Sequence, residues 1–421
     1  MQTLDRNNTN FPLYLFEFLK NAKFTPEYNF LKYYQNIVRV FMRDVKIDAR
    51  GLLIYHSMGL GKSMIAIAVA IDLMKERQPI LLIAKSLQEN MRNTIRKYVQ
   101  MRSEMEPDYP IGRLPEDDLE KWINKNFSFV SMNAGNMLKQ MDKATEGHAI
   151  DEFNAVLESK FGELLKFGSL DGKLLLVDEA HNFFRAITNG SKNAKGLYDM
   201  IMRAKNLKIM FFTGTPISND PFELVPCFNM LSGTQLFPES YEEFKRTFVW
   251  THSDFGKPSE PYTAELIRNR EKFQNRILGL VSYVDYKSTV GRALGIEEKS
   301  IEDNFPMIMD LVVERINMTS EQYTLYQLAR EKEKQENSKQ MKKKQSDFAK
   351  PRIAASSSYR VQSRQLSNYC PPMSHLREKD PEKLPQQYLS SPKFEKIYSN
   401  LEKHSGQLGL VYSQFIGVGG L

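Results

Sequence analysis

Five short apolar runs mark the first half of the chain, at residues 52–55, 80–84, 127–131, 174–177 and 209–212. None contains a charged residue. Runs this short, apolar at successive rather than alternate positions, fit strands buried on both faces. Longer stretches with apolar residues at helical spacing separate them, as in the Ala- and Ile-rich segment after Ser63. The alternation predicts an α/β fold, a doubly wound parallel sheet with helices on both faces, over residues 31–290. Ligands of such sheets bind at the carboxyl ends of the strands.

Beyond residue 230 the pattern is mixed and mostly helical. It predicts helices over 242–249 and 262–280, a strand over 309–315 and a helical run from Ser320. Residues 291–392 read as a connecting segment. From 331 onward it is rich in Lys, Gln, Ser and Pro, with Ser356-Ser357-Ser358 and Pro371-Pro372, the composition of a partly disordered insert or linker. Apolar order returns at Phe394, and residues 408–415 look like the first buried strand of a second domain, placed at 393–421. Residues 1–30 are aromatic and polar without a clear period and read as an N-terminal extension.

Composition narrows the class. A chain of 421 residues is too long for one ordinary core, so two or more domains are expected. No window approaches the apolar length of a membrane span, and residues 1–10 lack a signal-peptide layout, so no membrane association is expected. Cys227 and Cys370 lie far apart without a partner motif, which fits a reducing compartment and excludes a zinc site built on cysteine pairs. The net charge of +7 is concentrated: residues 331–400 hold 15 Lys+Arg against 8 Asp+Glu, leaving the rest of the chain neutral. Lys342-Lys343-Lys344 within that segment marks either a polyanion contact or a solvated linker.

Three stretches, each at the end of an apolar run, carry candidate chemistry. The first is His56-Ser57-Met58-Gly59-Leu60-Gly61-Lys62-Ser63, a glycine loop between a strand and a helix. Gly59 and Gly61 let the backbone approach phosphate oxygens, Lys62 reaches the β- and γ-phosphates of ATP, and the Ser63 hydroxyl ligates Mg²⁺. The strict pattern asks for Gly where this chain has His56, and the bland reading is a glycine-rich turn with a chance Lys-Ser. The second stretch, Asp178-Glu179-Ala180-His181, delivers two carboxylates at the end of a buried strand. Asp178 would hold the metal, and Glu179 would orient and deprotonate the attacking water. His181 would connect this site to the third stretch, although a structural histidine is the equal alternative. That third stretch, Thr213-Gly214-Thr215-Pro216, places two hydroxyls at a strand end and would report the nucleotide state. Upstream, the Gln35 amide can read an adenine edge, while Tyr33 is expected to pack in the core.

Together, Tyr34-Gln35, residues 58–63, Asp178-Glu179-Ala180-His181 and residues 213–219 resemble, in order and spacing, a superfamily 2 helicase or translocase of the DEAH-box, Swi/Snf-like kind. That branch often has an acidic residue where His56 stands. Met318-Thr319-Ser320-Glu321-Gln322-Tyr323, Arg364-Gln365-Leu366-Ser367-Asn368 and Leu410-Val411-Tyr412-Ser413-Gln414-Phe415 resemble later blocks of the same family, the last being its motif IV. The wording of residues 129–134, 279–283 and 359–365 is similar to the nucleoside triphosphatase I, early transcription factor ATPase and helicase groups of large DNA viruses.

The resemblance implies a RecA-like ATPase domain, ATP and Mg²⁺ as cofactors, and a residue set of Gln35, Met58, Gly59, Leu60, Gly61, Lys62 and Ser63 around the nucleotide, with Lys62, Glu179 and His181 catalytic. It also implies a nucleic-acid partner, DNA rather than RNA, and an association with RNA polymerase or other transcription subunits in a viral factory of the cytoplasm or in the virion. Nucleic acid would be gripped by residues 84–87, residues 132–134 and the basic insert, mainly through phosphates. The sequence ends after motif IV, before motifs V and VI with their arginine fingers, so these 421 residues alone are expected to bind ATP with little DNA-stimulated turnover. The rival readings are a non-hydrolysing, ATP-gated nucleic-acid-binding or scaffold subunit, and a metabolic P-loop ATPase.

Overall fold

The computed structural model describes residues 10–21, 30–44, 47–145, 169–218, 220–249, 268–285, 310, 312–344, 361–370 and 391–412. The chain divides into two compact units, Met1–Pro306 and Met307–Leu421.

The first unit is built on six strands: β1 (Gly51–His56), β2 (Pro79–Ile83), β3 (Ser128–Ser131), β4 (Leu174–Val177), β5 (Lys208–Thr213) and β6 (Val281–Val284). They form one sheet in the order β3-β2-β4-β5-β1-β6, and every pairing is parallel. Parallel strands need crossovers, and the intervening segments supply them as helices on both faces. One face carries α2 (Tyr33–Arg43), α3 (Lys62–Leu73), α4 (Gln88–Met105) and α5 (Glu116–Asn126), beside α1 (Phe11–Asn21). The other carries α6 (Met137–Thr145), α7 (His181–Thr188), α8 (Lys192–Arg203), α9 (Leu224–Ser232), α10 (Tyr241–Phe248) and α11 (Arg270–Ile277).

Successive residues of each central strand serve opposite layers. Leu53, Leu175, Val177, Ile209 and Phe211 pack with Phe183, Phe184 and Leu197, whereas Leu52, Ile54, Leu174, Leu176, Met210 and Phe212 pack with Ile65, Val69 and Ile95. Both sets are apolar because both faces are covered, which is why the strands read as continuous apolar runs. α3 is buried along nearly its whole length, and the alanines alternating with Ile and Val through residues 65–71 allow it to lie close to the sheet. A buried ion pair ties α2 to α3, with Arg39 donating to both carboxylate oxygens of Asp72, its Nη2 at 3.2 Å.

The five expected strands are all present, and the 242–249 helix appears as α10. Other elements differ. α1 forms where no period was visible, because Phe11 is buried in the core while Leu13 and Phe16 are exposed, which blurs the pattern. The helix expected over 262–280 is α11 alone among the described residues, and the chain turns at Gly279 (φ +76°) into the unanticipated β6; residues 262–267 lie outside them.

In the second unit, α12 (Ser320–Lys344), α13 (Val361–Asn368) and α14 (Pro392–Lys403) are described. Gln322 donates to the Leu366 carbonyl at 2.8 Å, and the Ser363 hydroxyl donates to Glu333 at 2.8 Å, joining α12 to α13. Ser391 caps α14 by accepting from the Phe394 N–H. The Lys342-Lys343-Lys344 run, read as insert, ends a helix, since Lys, Gln and Glu are good helix formers. Residues 310, 312–315 and 408–412 carry no strand, contrary to expectation, and 309, 311 and 413–415 lie outside the described residues. So do the serine run and Pro371-Pro372.

Candidate nucleotide-binding site

Because all six strands run the same way, their carboxyl ends share one edge of the sheet. That edge gathers the glycine loop after β1, the acidic pair after β4 and the Thr-Gly-Thr turn after β5. Loop residues Gly59 (φ +82°) and Gly61 (φ +71°) are left-handed, a conformation that side chains disfavour. A Cβ on Gly61 would also sit 2.5 Å from the Gln35 amide nitrogen. The loop feeds directly into α3, whose N-terminus has no side-chain cap. An α-helix start of this kind aims N–H groups and positive dipole at an anion. Lys62 Nζ donates to the carbonyls of His56 (2.9 Å) and Ser57 (3.2 Å) at the base of the loop. Burial lowers its pKa, while the charges of Glu179 and Asp178 oppose that shift.

Ser63 and Asp178 line the same small cavity. Burial raises the Asp178 pKa, reinforced by the neighbouring Glu179 charge and opposed by the Glu179 N–H, which donates to Asp178 Oδ1 at 3.0 Å, and by Lys62. That cavity is otherwise lined by apolar side chains such as Leu82, Met91 and Phe212, so what suits a hard cation such as Mg²⁺ is the chemistry of the two oxygen donors, a half-buried carboxylate and a hydroxyl. Among the described residues no group of three or more His, Cys, Asp or Glu is arranged to hold a metal. Mg²⁺ needs none, since it takes one or two protein oxygens together with phosphate and water.

Glu179 adopts a left-handed backbone (φ +46°), uncommon for a residue with a side chain. The strained turn leaves its side chain 45 % exposed to water, beside a half-buried Asp178. His181 Nδ1 lies 2.9 Å from Thr213 Oγ1 and 3.4 Å from Glu179 Oε2. Thr213 is fully buried and also accepts from the Thr215 N–H at 3.0 Å. His181 thus joins the acidic stretch to the threonine turn, as its position suggested. Burial lowers its pKa, with Glu179 opposing, so its ring is held towards the neutral form.

Gln35 lies against the glycine loop. Its Oε1 accepts from the Lys32 N–H (2.8 Å), and its Nε2 donates to the carbonyls of Leu60 (3.2 Å) and Gly61 (3.4 Å). Tyr34 adds its hydroxyl to Leu60 O at 3.2 Å. Here the two residues hold the glycine loop in shape. Leu60 is buried, whereas Met58 is 83 % exposed at the loop tip. Tyr33, expected in the core, is exposed on the outer face of α2. The 84–87 and 132–134 turns follow β2 and β3 at the same edge, with Lys85, Ser86 and Asn133 exposed.

The sequence model of the SNF2-related domain matches residues 33–370, an interval that holds every one of these site residues. The chain belongs to the SNF2-related family. This SNF2-related chain is 34 % identical over 450 aligned positions to a "Termination factor NPH-I homolog" of African swine fever virus, covering 98 % of the chain and 56 % of that protein. It is 26 % identical over 387 positions to a mimivirus "Putative ATP-dependent RNA helicase R563", covering 89 % of the chain and 59 % of that protein. The chain therefore spans little more than half the length of these curated relatives. Among solved structures, a Sulfolobus solfataricus SWI2/SNF2 ATPase core in complex with dsDNA aligns at 18 % identity and a TM-score of 0.36, covering 89 % of this chain and 64 % of that one. No described helix of the SNF2-related chain is long and apolar enough to cross a membrane.

Ser282 and Asp285 at the end of β6 also touch the glycine loop, through His56 and Ser57. Sequence reasoning missed both. Their signal was the apolar Leu280-Val281 pair after Gly279, which the end of the expected 262–280 helix split.

Proposed function

We propose that the chain is the nucleotide-binding part of an ATP-dependent, nucleic-acid-stimulated motor, a helicase or translocase acting on DNA in viral transcription or genome handling. The observation that carries the reading is the convergence of Lys62, Ser63, Asp178 and Glu179 at the carboxyl edge of one parallel sheet. Bound Mg·ATP supplies the phosphoanhydride to be cleaved and a cation that neutralises charge developing on the phosphates. The N-terminus of α3 and the Lys62 ammonium would hold the β- and γ-phosphates, and the Ser63 hydroxyl and Asp178 carboxylate would hold the metal. Glu179, on its strained and water-accessible turn, accepts a proton from the attacking water at its carboxylate. His181, bonded to Thr213 and close to Glu179, positions that carboxylate and ties it to the threonine turn.

Several observations support nucleic acid as the partner: the exposed Lys85, Ser86 and Asn133 at the same edge, and the net charge confined to residues 331–400. The name of the swine fever virus relative, a termination factor homolog, supports a role beside transcription machinery, and a viral factory or virion is the location we propose with it. Phosphate release from ATP, measured with and without duplex DNA on this sequence supplemented with a segment that carries motifs V and VI, tests the reading. DNA should stimulate release, and Glu179→Gln should abolish it while leaving ATP binding in place. Release indifferent to DNA and to Glu179 would overturn it.

A further inference from the structure

The base of the glycine loop is anchored to the edge strand β6. Ser57 N–H donates to the Val284 carbonyl at 3.1 Å, the Ser57 hydroxyl donates to Asp285 Oδ1 at 3.2 Å, and His56 Nε2 lies 2.9 Å from Ser282 Oγ. His56 is fully buried, with the Tyr34 ring edge-on at 5.7 Å. Its Nδ1 has no hydrogen-bond partner among the described residues, so the Ser282 contact is what fixes the ring. These are the same two residues whose carbonyls hold the Lys62 ammonium.

The loop is therefore held at its base and uncovered at Gly59. Residues 56 and 57 are held by a neighbouring strand, whereas a Cβ on Gly59 would meet nothing within 4 Å. A partly buried ammonium stays where its acceptors are fixed, because an unpaired charge in that setting is costly. We infer that Ser282 and Asp285 are positioning residues for Lys62: by fixing His56 and Ser57, they set the place from which the ammonium meets phosphate. This rests on the nucleotide-binding reading above and extends it to residues that touch neither phosphate nor metal. Since β6 is the last described strand of the first unit, the phosphate loop and the end of that sheet are joined side by side.

A double-mutant cycle tests it, using a non-hydrolysable ATP analogue and the full chain. Asp285→Ala should weaken analogue binding about tenfold, the scale of one charge-assisted hydrogen bond. Asp285→Asn keeps an acceptor for the Ser57 hydroxyl and should restore affinity. In a Lys62→Ala background Asp285→Ala should have no further effect, because the group it positions is gone; a residue that merely stabilised the fold would weaken binding in both backgrounds. Ser282→Ala removes the second anchor and carries the same test if Asp285→Ala fails to fold. If the wild-type chain binds the analogue and Lys62→Ala weakens binding, yet both anchor variants bind like wild type, the positioning role is overturned and the nucleotide reading stands. If the wild-type chain does not bind the analogue, both fall together.

Discussion

Burial decides the protonation of His56. Desolvation, aided by the Lys62 charge, pushes its pKa from 6.5 down to about 4. An unfolded chain takes up a proton near pH 6.5 that the folded chain refuses until about pH 4, so stability falls as the pH drops through that window. Between pH 7 and pH 5 the loss amounts to about 2 kcal/mol. His56→Gln, which can still bond Ser282, should remove that part of the pH dependence in urea denaturation; an equal pH slope in both proteins would refute the assignment. At this scale placement was legible in local spacing: Lys62-Ser63 and Asp178-Glu179 follow strands β1 and β4 at one edge of the sheet. The hydrogen bonds of Gln35 to the loop were not legible, because the carbonyls it reaches lie 25 and 26 residues away.

Between elements, the decisive link joins the ends of β4 and β5. Thr213 has no exposure, and its hydroxyl serves both His181 and the Thr215 N–H. Thr213→Val keeps the shape and removes the hydroxyl, leaving two polar groups short of a partner, at a cost of about 1–3 kcal/mol. Urea denaturation should register that loss, and phosphate release should fall while ATP binding persists. Undiminished release would mean that the acidic stretch and the threonine turn act independently. The central strands were legible because both their faces are covered and their apolar runs are unbroken. β6 was not, since it sits at the edge of the sheet, leaves Tyr283 half exposed and follows a helix without polar punctuation.

At the scale of the whole molecule, charge and fold are segregated. The sheet and its nucleotide site belong to the first unit, while the net charge lies in residues 331–400 of the second. Each phosphate contact on duplex DNA adds about 0.9 to the log–log salt slope of binding. Changing Lys342, Lys343 and Lys344 together to Gln should flatten the slope by up to about 2.7; an unchanged slope would make the run a solvated helix end. Composition revealed the segregation, but not that the basic run is helical, because low apolar content describes a solvated helix and a disordered linker alike. The account turns on whether Mg·ATP binds at the carboxyl edge, held by Lys62. Calorimetric titration of Mg·ATP into wild type and Lys62→Ala measures this directly. Binding should weaken by about 2–4 kcal/mol in the variant, the cost of removing the partner of a buried charge. Equal affinity in the two proteins would contradict it.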